Sequence, residues 1–190
     1  KLDGQGHDED QLAFLRDERQ YLNPVLMELP RGDFAFTQMR NFAVATWLLL
    51  LWQGLEKSSD AEVAAIAGKA VKEARYHQQH AADWVVRLGD GTAESASRMQ
   101  AALASLWPYF NELFDTDTVD TAAAAQGLGP AWSELKPAWQ AQMAEVLADA
   151  GLACPKDSPY QSQGRRGIHS EHMGHLQAEL QYLQRAFPGG

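Results

Sequence analysis

"VKEARYHQQH", Val71 to His80, is the stretch on which the fold turns. A single line of positions extends from it in both directions: Val63, Ala67, Ala70, Ala74, His77, Ala81, Trp84 and Leu88. The steps alternate between three and four residues, which is the spacing of a helix packed along the seam of a bundle. Ser59 or Asp60 can cap its start, and "GDG" from Gly89 stops it. The same stretch poses a chemical question, because one acid and two imidazoles (Glu73, His77 and His80) recur at helical spacing.

The flanking sequence reads as helix as well. A short helix is expected from Glu9 to Tyr21 and a long one from Asp33 to Glu56. A fourth helix carries Met99, Leu103, Leu106, Phe110 and Leu113 on one face, with a kink expected at Pro108. Val119–Ala125, Trp132–Ala150 and Ile168–Phe187 complete the set. No segment alternates as a strand does, and there is no internal repeat or domain boundary. The expectation is one all-α bundle over residues 1–190. The irregular stretch Gly151 to Gly167 is long for a connector and is expected to be a contact surface.

Composition narrows the function. Of 190 residues, 45% are hydrophobic and 22% charged, ordinary for one globular domain with a sizeable core. The net charge of -9 disfavours non-specific binding to nucleic acid or to an anionic membrane. Cys154 is the only cysteine, so no internal disulfide and no CxxC zinc pattern is possible, and a reducing cytoplasm fits. The longest apolar run, Phe42 to Trp52, is too short to span a bilayer and reads as a helix buried in a core. The chain opens "KLDGQGHDED" without a methionine, so the lack of a visible targeting segment carries little weight.

The chemistry of bundle metal sites supplies a test for the histidines. Two-iron centres in four-helix bundles use Glu-x-x-His pairs, since that spacing aims both side chains at one point of the seam. Three residues before His7, His77, His80, His169, His172 and His175 stand Gly4, Ala74, His77, Arg166, His169 and His172. None is an acid, so His77 on the seam faces a methyl group where a ligand pair needs a carboxylate. A zinc-type site could still be drawn from His77 and His80, or from His169, His172 and His175 with Glu171 or Glu179. This second reading, a stand-alone metal-dependent helical enzyme, is the weaker one. Bundle histidines more often bond a neighbour or face water. The sequence has no phosphate loop or GxSxG elbow, and Cys154 before a proline reads as inert. "GRRG", Gly164 to Gly167, is a small basic turn suited to an anion or a partner.

"DEDQLAFLRDERQYLN", "KEARYH", "GRRGIHSEHMG" and "AELQYLQR" together resemble the C-subunit family of the bacterial phenylacetyl-CoA epoxidase, the phenylacetate-catabolism monooxygenase. The likeness runs from about His7 to Phe187. It implies a ferritin-like helical bundle and a structural, non-catalytic role. By the same resemblance, the two-iron centre belongs to the catalytic A subunit, which epoxidises the aromatic ring with dioxygen and electrons from an NADPH-dependent reductase. Small bridging and reductase subunits are implied as further partners, in the cytoplasm. No catalytic or metal residue is expected in this chain, with Ala74 and His77 as a vestigial position. Arg165, Arg166, His169, Glu171 and His172 are the expected contacts to a partner or to CoA. Family members extend further upstream, so the bundle is expected to lack N-terminal helices and to expose apolar faces around Trp47 and Ala74.

Overall fold

The structure is a computed structural model that describes residues 6, 8–156 and 158–187; His7 lies outside the described residues. Among these the fold is all-helical, with one isolated bridge pair, Gln163 and Ile168. It divides into two compact units, Arg31–Gln161 and Lys1–Pro30 with Ser162–Gly190. No helix of the described residues is long and apolar enough to cross a membrane.

The Arg31–Gln161 unit is built on a helical hairpin. Helix α1 (Glu9–Phe14) precedes it in the chain; α2 spans Phe34–Leu55 and α3 Ala61–Gly89. Asp33 caps α2 by accepting from the Phe36 amide at 2.9 Å, and Asp60 caps α3 through the Glu62 and Val63 amides. Helix α2 buries Ala35, Met39, Phe42, Ala43, Trp47 and Leu49, so nearly its whole circumference is enclosed. It packs along α3 and also against α4 (Ala93–Leu106) and α6 (Lys136–Asp149), with α5 (Thr118–Ala125) between those two in sequence.

Trp139 of α6 ties the layers together. Its indole N–H donates to the Ala43 carbonyl at 2.8 Å, and its ring meets Phe110 and Phe114 edge-on at 5.4 Å each. Phe110 and Phe114 come from a tight 3-10 segment, Trp107–Phe114, where a kinked α-helix was expected. Pro108 has no N–H to return to the preceding turn, so the α-helix ends at Leu106 and the chain goes on at the narrower pitch. Pro137 does no such damage, because it falls in the first turn of α6, where its amide would have no partner anyway.

The apolar faces expected to lie open are covered. Trp47 is 9% exposed and meets Trp132 edge-on at 4.9 Å; Ala74 is 8% exposed and packs with Leu49, Val71 and Trp52. All of these residues lie within Arg31–Gln161, so the unit covers both faces from its own sequence.

The second unit joins the two ends of the chain. Helix α1 stops at Phe14, seven residues before the expected end at Tyr21. The Arg16 side chain takes the Leu12 carbonyl, and Asp17 opens a new capping box with Gln20. The C-terminal stretch supplies a tight turn, Gly164–Arg166, and helix α7, Glu171–Ala186. A Cβ on Gly164 would come within 2.3 Å of the Asn23 carbonyl oxygen, and Gly167 has φ +74°, so both positions require glycine. The unit buries few apolar residues, Val25, Leu26 and Met173 among them, alongside the polar Glu28, Ser162 and Gln181.

Candidate functional site

At the vestigial metal position the inner and outer faces of α3 are divided differently from the expected line. The buried stripe runs through Ala67, Val71, Ala74, Ala81, Ala82 and Val85, with half-buried Gln78 at the step after Ala74. His77 lies about 80° round the helix from the centre of that stripe, at 100° per residue. Its side chain is 59% exposed and its Nε2 is 3.5 Å from Glu73 Oε1, itself 80% exposed. His77 is therefore not a seam residue, which corrects the expectation. Tyr76 stacks on His80 and meets His77 edge-on, forming an outward aromatic cluster.

This geometry does not fit a two-iron site. Ala74 points inward but offers only a methyl group; His77 has a ligand atom but points outward. Nor do the C-terminal histidines assemble a zinc-type site. His172 is half-buried, while Glu171, His175 and Glu179 are exposed, and among the described residues no three His, Cys, Asp or Glu side chains converge as a metal group. Cys154 is exposed, its Sγ 3.7 Å from the Pro155 carbonyl oxygen.

The segment expected to meet a partner holds a surprise at His169. Its side chain is fully enclosed, with Nδ1 2.5 Å from Glu28 Oε1 and Nε2 2.9 Å from the Tyr21 carbonyl oxygen. A carbonyl only accepts, so Nε2 carries a proton, and a further proton lies between Nδ1 and the carboxyl group. Glu28, 1% exposed in its side chain, also accepts from Asn23 Nδ2 at 2.9 Å on Oε1. Its Oε2 accepts from both the amide and the hydroxyl of Ser170 at 2.8 Å. His169 is thus held inside its own chain and is not a surface contact, contrary to the expectation.

The same network changes the reading of the start of α7. Ser170 is the N-cap residue, and its own side chain caps nothing. The anion favoured at that helix end is already present as the Glu28 carboxylate. The segment was expected to contact a partner or CoA; at the start of α7 itself, the place for an anion is filled by an internal acid. Of the neighbouring candidates, Arg165 is half-buried with a partner, and Arg166 and Glu171 are exposed. Sequence reasoning missed Glu28, Tyr21, Asn23 and Ser170. A signal for Glu28 was available, since one acid within "VLMELP" stands among apolar neighbours and needs a partner to be buried.

Comparison with known proteins agrees with the motifs. A relative in Escherichia coli (strain K12), named as the C subunit of 1,2-phenylacetyl-CoA epoxidase, is 43% identical over 189 residues, which cover 100% of this chain and 76% of the relative. The family described as phenylacetic acid catabolic protein, whose fold is the ferritin-like helical one, matches residues 1–190. With the match running the full length and the fold all-helical, the chain belongs to the phenylacetic acid catabolic protein family.

Proposed function

We propose that this chain is the structural, non-catalytic subunit of a multicomponent phenylacetyl-CoA 1,2-epoxidase. It supports a two-iron catalytic subunit in aerobic phenylacetate degradation. The observation that carries the reading is the 43% identity, over the whole chain, to a protein named as the C subunit of that enzyme. The turn of α3 around Ala74 and His77 supports it, because neither residue can serve an iron centre from where it lies. Arg166 and Glu171 are exposed, and a buried network of Glu28, His169 and Ser170 holds the chain's own helix α7. In this reading, the iron belongs to the catalytic subunit. An NADPH-dependent reductase and a small bridging protein join them to form the complex, in the cytoplasm.

Reconstitution tests the proposal. The chain is produced alone, its catalytic partner alone, and the two together with the reductase, and each sample is assayed for iron and for epoxidation of phenylacetyl-CoA. The expected result is an active mixture, with iron following the catalytic partner and less than stoichiometric metal in this chain. Turnover by this chain alone, or about two irons bound to it, would show the structural role to be wrong.

A further inference from the structure

Helix α7 is amphipathic the wrong way round for a free surface. Its inward positions are Met173, Gln177 and Gln181, with Gln181 Nε2 donating to the Arg16 carbonyl at 2.7 Å. The buried Gln177 amide nitrogen has no hydrogen-bond partner. On another face Leu176, Leu180, Leu183 and Phe187 are exposed by 38%, 59%, 63% and 65%. Their four-three-four spacing is a seam, the pattern that elsewhere in this chain is buried. A helix that turns glutamines inward and leucines outward has its apolar partner outside the unit.

We infer that the Leu176, Leu180, Leu183 and Phe187 face of α7 is a docking surface for a partner subunit that presents an apolar helix or groove. This rests on the reading of the chain as a structural subunit. The four side chains leave roughly 400–500 Å² of apolar surface open, comparable with the largest patch of a typical monomer. A second copy is the poorer occupant on two grounds. Two facing stripes bury about 900 Å² in total, short of the ~1,200 Å² at which stable interfaces begin. Self-pairing also brings together two chains of net charge -9. A different subunit is not restricted to stripe on stripe: it can also cover the polar flank of the stripe, which enlarges the interface, and it need not be acidic. It would meet Glu179 and His172 along the outer edge of the stripe, so a neutral or basic rim suits it.

The test is co-expression with the catalytic subunit of the same enzyme, comparing the wild-type chain with the double variant Leu180→Asp, Leu183→Asp. A control, Ile66→Asp, replaces an exposed apolar residue on α3. Size by light scattering, affinity by titration and hydrogen exchange over α7 are measured. The expected result is a monomeric wild-type chain that binds, a control that binds equally, and a double variant at least about 100-fold weaker with α7 still protected. If the double variant binds as the wild type does, the surface is misassigned while the functional reading stands. A wild-type dimer that the double variant splits assigns the face to a second copy and overturns the inference. Loss of α7 protection in the double variant would mean that the stripe packs on its own chain. If the wild type does not bind its catalytic partner at all, the functional reading fails, and this inference with it.

Discussion

Glu28 and His169 stand 141 positions apart in sequence and share one proton-bearing contact in the interior. Removing either breaks their direct contact in a place water cannot reach and leaves the other buried group one partner short, so Glu28→Ala or His169→Leu should cost about 3–5 kcal/mol. The loss should show as faster hydrogen exchange in the α7 amides before any change in the α2–α3 hairpin. His77→Leu belongs at the opposite extreme. An exposed side chain with one long contact to Glu73 contributes little, so the thermal midpoint should move by no more than a ~0.5 kcal/mol change implies. The two histidines show what the sequence could reveal about single positions. The spacing rule speaks to ligand pairs, and it found no acid at the required step before either. It could not assign burial, because a line drawn through His77 and one drawn through Gln78 fit the pattern almost equally well. Only the packing of Ala74, Leu49 and Trp52 chooses between them.

Two helix starts were legible because caps are local chemistry: Asp33 and Asp60 each hold amides of the turn they open. Breaks were less legible, since they depend on competition. The capping box at Asp17 competes with the continuation of α1 and prevails, and Pro108 turns a kink into a change of pitch. The tie between α2 and α6 was not legible at all, because an indole–carbonyl bond spans 96 residues. Trp139→Phe keeps most of the ring and its edge contacts but removes the indole donor, leaving the Ala43 carbonyl with its bond inside α2 alone. The expected cost is about 0.5–1.5 kcal/mol, read from denaturant midpoints. Leu103→Ala, at a fully buried position of α4, should cost about 2–5 kcal/mol by leaving a cavity. If Trp139→Phe proved the costlier of the two, the indole bond would be worth more than its neutral character suggests.

At the scale of the whole molecule, four ordered motifs spread over most of the chain identified the family, where no single helix pattern could have. The apolar face of α7 was not legible in the sequence. The long loop and its arginines drew attention, whereas much of the exposed apolar area is on α7, whose sequence looks like an ordinary amphipathic helix until its buried face is known. The whole-molecule prediction is that a fully reconstituted complex turns over while this chain alone does not. The division into units has one further consequence, for biosynthesis. The unit that holds Glu28 and His169 is assembled from two separated stretches, Lys1–Pro30 and Ser162–Gly190, while Arg31–Gln161 is contiguous. On the ribosome the hairpin unit can close first, and the N-terminal stretch must wait, unpaired, until the C-terminal helix emerges. Closing a free coil of that length costs about 2 kcal/mol more than closing a ten-residue loop. A link that has already folded removes much of that cost. A chain truncated after Gln161 should therefore show protease-resistant Arg31–Gln161 with a cleavable N-terminal stretch, and a chain that extends through α7 should resist cleavage in both units.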